Sequence, residues 1–303
     1  MTSPKFERFS ARESIVGTDT RIRRALPNAR KRTIGAWCFL DHVGPVQFEK
    51  GKGLHVGPHP HIGLQTFTWM IEGEIMHRDS LGNEQVITPG QVNLMTAGNG
   101  VTHTEDSVQD GTTMHAAQLW IALPEHRRHG AAAFANYADL PKYRINDITV
   151  VVLAGAHAGH VSPAEVHTPL VGLDLSTGTM AGNTTLPLQP SFEYGFLVLQ
   201  GTAAINGDTL EPGTLLYLNP GAEALDVSLE SNSRVLVVGG EPFEDILIWW
   251  NFVARTQDEM ISAITDWNEG TDRFPRPRAG SNSPVLKAPP IESIRLKTTT
   301  NNQ

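Results

Sequence analysis

The sequence is short of several things, and each shortage narrows what the protein can be. It has a single cysteine, Cys38, so a disulfide framework is excluded, and the flanking Trp37 and Phe39 mark it as a buried structural thiol rather than a nucleophile. No apolar run approaches the roughly 20 residues that a membrane-spanning helix needs. The first residues, Met1-Thr2-Ser3-Pro4-Lys5-Phe6-Glu7-Arg8, lack the apolar core of a secretion signal. A cytoplasmic location without a membrane partner is therefore expected. Basic residues are the minority charge, with 24 Lys and Arg against 32 Asp and Glu and a net charge of −8. That balance argues against nucleic acid as a direct partner, because phosphate neutralisation needs clustered cations. The one basic patch, Arg21, Arg23, Arg24, Arg30, Lys31 and Arg32, is interrupted by Pro27 and Asn28 and reads as a solvated loop.

What is present is an ordinary globular composition, 40% hydrophobic and 18% charged, in 303 residues, enough for two domains of typical size or one large one. The chemistry concentrates in two short stretches, His59-Pro60-His61 and, about forty residues later, His103-Thr104-Glu105. In each, two donors flank one residue, and the side-chain period of a strand is two, so each pair directs its donors to one face. Two such strands facing each other would bring three imidazoles and one carboxylate to a point, a metal site made by His59, His61, His103 and Glu105. Three neutral nitrogens and one carboxylate oxygen suit a divalent transition metal rather than calcium or magnesium. The expected cofactor is one such ion per chain, iron(II) first, with manganese, nickel, copper, cobalt and zinc as alternatives.

The surroundings carry a family resemblance. The spacing Gly53-x5-His59-x-His61-x3-Gln65-x7-Gly73 resembles the first motif of the cupin superfamily, and Gly90-x5-Thr96-x-Gly98-x4-His103 resembles the second. The segments Phe39-Leu40-Asp41-His42-Val43-Gly44-Pro45, His59-Pro60-His61-Ile62-Gly63, His77-Arg78-Asp79-Ser80-Leu81-Gly82-Asn83 and Met95-Thr96-Ala97-Gly98-Asn99-Gly100-Val101-Thr102-His103-Thr104-Glu105 are similar to signatures of the pirin family. Gly240-Glu241-Pro242-Phe243, Trp250-Asn251-Phe252-Val253 and Ile264-Thr265-Asp266-Trp267-Asn268-Glu269-Gly270 resemble the carboxyl-terminal region of pirins, so the likeness spans nearly the whole chain. It implies an all-β bicupin and a dioxygenase acting on quercetin-type flavonols or related enolised aromatics, with Glu105 as ligand and base. It equally implies the alternative of a metal-dependent regulatory protein, a transcription cofactor with a protein partner. Two positions depart from the family: Gln65 stands where pirins commonly keep a glutamate, and Ile62 where an arginine often follows the second histidine.

Along the chain, residues 1–34 read as an irregular arm with one short strand near Glu13 to Gly17. Short strands follow from Ala36, punctuated by Gly, Pro, Asn and Asp, as in an all-β barrel. Met114 to Leu123 reads as a long buried strand stopped by Pro124, and 125–146 as the connection between domains. Strands resume at 149–153, 171–175, 192–199, 215–218 and 235–238. A faint internal repeat supports a second barrel: Gly90 to Gly98 after Pro89 matches Gly213 to Gly221 after Pro212, and Glu72-Gly73 matches Gln200-Gly201. Counted through that repeat, the ligand positions become Pro187, Gln189, Asp226 and Ser228, so the second barrel is expected to be metal-free. The division expected is a metal-binding cupin barrel at 1–135 and a second barrel at 136–303 that carries a helix and tail. The helix is read at Asp258 to Glu269, with Thr256 and Glu259 as a capping box, Met260, Ile261, Ile264 and Trp267 as its apolar face, and Gly270 at its end. Thr298 to Gln303 reads as an unstructured end.

The remaining histidines divide less sharply. His55 either lines the pocket mouth or belongs to a surface loop, and His115 either orients a ligand or is a satisfied core histidine. His77 in His-Arg-Asp is only superficially like a kinase catalytic loop. His42, His126, His129, His157, His160 and His167 read as loop residues.

Overall fold

A computed structural model describes residues 5–17, 19–277, 283–291 and 294–299. The chain is almost entirely β, with one α-helix at Gln257–Glu269 among the described residues, and no helix there is long and apolar enough to cross a membrane. It forms two compact units. One gathers Glu13–Ile22, Asp41–Ala138 and Glu244–Gln303; the other gathers Met1–Arg12, Arg23–Leu40 and Asp139–Phe243.

The units are interleaved in sequence rather than divided once near 135. One break falls at Ala138/Asp139, and the helix and the segment around it group with the histidine-bearing unit. The reason is packing. Ile62, beside the first histidine pair, is buried in one cluster with Phe252, Met260, Ile264, Trp267 and Phe274. The helix forms as its capping signals direct: Glu259 N–H donates to Thr256 Oγ1, the Glu259 carboxylate reaches back to the Thr256 N–H, and Gly270 ends it at φ 74°. Ala263 joins Met260, Ile264 and Trp267 on the buried face, while Ile261 lies outward at 36% exposure.

In the histidine-bearing unit the strands His55–His61, Val101–Ser107, Ile75–Asp79 and Glu84–Ile87 form a four-stranded sheet in that order. A second sheet runs Ala133–Tyr137, Val92–Thr96, Leu64–Glu72, Thr113–Ala122, Trp37–Gln47, Thr20–Leu26 and Arg12–Val16. The other unit repeats the scheme. Its four-stranded sheet is Gly182–Pro187, Ala224–Leu229, Ala203–Ile205 and Asp208–Leu210. Its larger sheet contains Thr214–Leu218, Glu193–Gln200, Arg234–Gly240 and Leu170–Ser176 in the same spatial sequence. The repeated glycines hold matching conformations, with φ of 86° and 85° at Gly90 and Gly213 and 86° and 70° at Gly73 and Gly201, where an L side chain is disfavoured.

Three local expectations change. Residues 5–34 hold three strands rather than one: Phe6–Ser10 pairs with Thr214–Leu218, and Thr20–Leu26 joins Arg12–Val16 in the seven-stranded sheet that contains Leu64–Glu72. The connection 125–146 contains the edge strands Ala133–Tyr137 and Lys142–Ile145. The repeat correspondence is also displaced by one residue. Asp226 and Ser228 point outward, whereas Leu186, Leu225 and Val227 face the core, with Leu186 directly opposite Leu225. A one-residue slip on a strand exchanges the two faces, so the inward side chains at this place are hydrocarbon. Of the terminal run, residues 300–303 lie outside the described residues, while Thr299 N–H donates to Ile246 O at 3.1 Å.

Candidate metal centre

Strand His55–His61 lies antiparallel to Val101–Ser107 with His59 directly opposite His103 and His61 opposite Val101. The strand period then puts all three imidazoles on one face. Their donor atoms lie within 4.8 Å of one another, and all three residues are buried. The ring centroids are 4.3 Å apart for His59 and His103 and 5.0 Å for each of the other two pairs.

Which nitrogen each ring offers follows from its other contacts. His59 Nδ1 donates to Gly57 O at 2.8 Å, and His61 Nδ1 donates to Asn251 O at 3.0 Å. A carbonyl only accepts, so both rings keep the Nε2 lone pair free. His103 Nδ1 faces His77 Nδ1 at 3.3 Å, and its Nε2 lies 3.1 Å from His61 Nε2. Burial lowers the pKa of His59 to about 4 and holds those of His61 and His103 well below the usual range, with repulsion among the rings adding to the effect. Three neutral imidazoles converging on their unprotonated nitrogens are what a transition metal requires, and the donor set fits a divalent ion.

Glu105 follows His103 on the same strand, opposite Val56 on one side and His77 on the other. A β-bulge between His103 and Glu105 gives the His55–His61 strand an extra residue, so Val56 and His59 both face the partner positions. The group whose donors lie within 4.8 Å is the three imidazoles, without Glu105. Glu105 is partly exposed, yet enough protein surrounds its carboxyl for burial to raise its pKa to about 7, with nearby Asp106 reinforcing the shift.

The other candidates resolve individually. His55 is a third exposed and hydrogen-bonds Asp106 and Asp110 at 3.0 and 3.2 Å. His115 is buried, and its Nε2 meets that of His42 at 2.9 Å. His42 is thus a buried strand residue of Trp37–Gln47, not a loop residue. Gln65 is buried and donates to Thr96 Oγ1 at 2.9 Å. Ile62 is apolar because it packs under the helix rather than into solvent. His77 and Asp79, compared in sequence only with a kinase loop, are both buried beside His103. Their signal was their spacing: two polar residues separated by one, just after the turn at Glu72-Gly73-Glu74, face the same way on a strand.

The comparisons with known proteins agree with this geometry. Residues 19–121 match the family model described as Pirin, and residues 174–275 match the Pirin C-terminal cupin domain. A Pseudomonas aeruginosa protein provisionally named a quercetin 2,3-dioxygenase is 50% identical over 286 residues, 94% of this chain and 90% of its own. A pirin-like protein of Caulobacter vibrioides is 36% identical, covering 88% of this chain and 94% of that protein. The crystal structure of a quercetin 2,3-dioxygenase from Acinetobacter baumannii superposes with a TM-score of 0.93 at 49% identity, covering 96% of this chain and 97% of that one. With the two-cupin architecture and the three-histidine cluster both in place, this chain belongs to the pirin family.

Proposed function

We propose that the protein is a metal-dependent dioxygenase of quercetin-type flavonols or related enolised aromatics. The observation that carries the reading is the convergence of three neutral imidazoles whose Nδ1 atoms are already engaged. Relatives near 50% identity that bear the quercetin dioxygenase name support the substrate class. His59, His61 and His103 would hold the ion through Nε2, with Glu105 as fourth ligand and iron(II) as the proposed resident metal. A divalent transition metal, when bound, supplies Lewis acidity toward a substrate hydroxyl. Glu105 is the base in this scheme: a carboxylate offers a second oxygen and a negative charge, and it accepts the enol or phenol proton that a fourth histidine could not take in the same position.

Oxygen consumption with quercetin, measured on protein loaded in turn with iron, manganese, nickel, copper, cobalt and zinc, tests the reading. Glu105→Gln keeps size and an oxygen donor but removes the base, so turnover should fall by about 100-fold or more, with metal content falling less. If no metal form of the unmutated protein consumes oxygen with quercetin or simpler catechols, the regulatory reading replaces this one.

A further inference from the structure

His59 and His61 fix their tautomers on backbone carbonyls, Gly57 O and Asn251 O, which no side-chain change removes. His103 differs. The partner of its Nδ1 is another imidazole, His77, which can act as donor or acceptor depending on where its own proton sits. What decides that is Asp79.

The register of Ile75–Asp79 against Val101–Ser107 sets Asp79 opposite His103 and His77 opposite Glu105, all on one face. His77 Nε2 lies 3.2 Å from Asp79 Oδ2, and the His77 ring stacks on Phe134 with centroids 4.5 Å apart and planes 15° from parallel. Asp79 is itself held. Its Oδ1 accepts the backbone N–H groups of Leu81 and Asn83 at 2.9 and 3.0 Å, and Asn83 Nδ2 reaches Oδ1 and Oδ2 at 3.1 and 2.9 Å. A carboxylate with these donors around it only accepts, so a His77 ring with a single N–H carries it on Nε2 and presents a lone pair at Nδ1. His103 must then carry its proton on Nδ1, which leaves the Nε2 lone pair directed at His59 and His61.

We propose that Asp79 and His77 are positioning residues of the metal centre: together they hold His103 in the Nδ1–H tautomer that a metal ligand requires. The proposal rests on the metal-centre reading above and adds to it the element that sets the third ligand's proton.

Asp79→Asn separates this role from simple packing. The two backbone N–H groups at Oδ1 keep the amide oxygen on their side, so the amide NH2 is turned toward His77 Nε2. A donor there forces the His77 proton to Nδ1 and the His103 proton to Nε2, where the metal needs a lone pair. His77→Phe keeps the stack on Phe134 but removes the acceptor, and His77→Gln returns an amide oxygen. Zinc affinity measured by competition with a chromophoric chelator should fall by about 10- to 100-fold in Asp79→Asn and His77→Phe and recover in part in His77→Gln. Histidine ring 15N–1H spectra of the full-length protein should show His77 protonated at Nε2 in the unmutated form and at Nδ1 in Asp79→Asn, a change that a merely structural aspartate would not produce. Zinc affinity of Asp79→Asn and His77→Phe within twofold of the unmutated protein, an unchanged His77 tautomer, or no recovery in His77→Gln overturns the positioning role and leaves the metal centre standing. If the unmutated protein takes up neither zinc nor iron, manganese, nickel or copper, the metal centre itself is refuted and the positioning role falls with it.

Discussion

Gly63, two residues beyond His61, offers a way to disturb the histidine cluster without altering an imidazole. Its φ is 66°, in the left-handed region. An added Cβ would lie 2.2 Å from the carbonyl oxygen of Val253, a backbone atom that cannot rotate away. Gly63→Ala therefore carries two costs. The left-handed conformation costs an L residue about 1–2 kcal/mol, and the strand Phe252–Ala254 must retreat by nearly an ångström. That retreat strains the Val253 N–H bond to Ile62 O, 3.1 Å long, whose net worth is about 1 kcal/mol. The stability lost should come to about 2–3 kcal/mol, read as a lower midpoint in urea at unchanged slope. The same displacement moves Asn251, whose carbonyl accepts from His61 Nδ1 at 3.0 Å, so zinc affinity should fall by about tenfold or more. A Gly63→Ala protein with unchanged urea midpoint and zinc affinity would refute the coupling between this glycine, the carboxyl-terminal strand and the His61 ring.

Two further expectations concern stability. In the metal-free protein, depressed histidine pKa values mean that the unfolded chain binds more protons as the pH falls below about 6.5; the displacement of His59 to about 4 alone is worth about 3 kcal/mol below both values. The raised carboxyl of Glu105 acts in the opposite sense between pH 4.5 and about 7, but three imidazoles outweigh it. Stability to urea should therefore rise between pH 4 and 6.5, and a flat or falling profile would contradict the desolvated, neutral cluster. Thr256→Ala removes the Oγ1 acceptor of the Glu259 N–H at 3.2 Å and should cost about 1 kcal/mol; an unchanged urea midpoint would show that the cap does not hold the helix.

The histidine face, the helix and the repeated barrel were legible because their signals are local. Thr256 with Glu259, and Gly270 at the helix end, give the boundary of Gln257–Glu269 within one residue. His59-Pro60-His61 needs only the strand period to align its rings. Of the amino-terminal strands, the one read near Glu13 to Gly17 is present as Arg12–Val16, but the first was not legible, for the opposite reason. Phe6–Ser10 buries only Phe9 fully and pairs with Thr214–Leu218, two hundred residues away, so nothing in its own alternation reports a strand. Edge strands such as Ala133–Tyr137, with no residue fully buried, are equally silent. The repeat was detected through its turn glycines, whose left-handed φ values survive in both copies, yet glycine spacing does not fix strand register. A single residue of slip was enough to exchange Leu186 for Pro187 and Leu225 for Asp226. His77 was missed because its partner, His103, is joined to it by sheet pairing, which sequence neighbours do not show.

The two copies also show what separates a site from a core on one scaffold. Where His59 stands opposite His103 in one unit, Leu186 stands opposite Leu225 in the other. Each leucine contributes about 2 kcal/mol by burial, whereas a buried imidazole contributes less hydrocarbon and demands a partner for each nitrogen. The histidine-bearing unit meets that demand with groups that an apolar core would not need: the Gly57 carbonyl, the Asn251 carbonyl, and the His77–Asp79 pair tied down by Asn83. It offsets the lost hydrocarbon elsewhere. Phe252, Trp267 and Phe274 bury Ile62 immediately beside His61, so the segment that supplies the Asn251 carbonyl is also the one that rebuilds the apolar cluster. The departure from the family at Ile62 fits this economy, since a charged side chain there would have to be accommodated inside that cluster. The carboxyl-terminal segment is therefore part of the histidine cluster in a physical sense: it fixes the proton of His61 and supplies the packing that the imidazoles themselves displace.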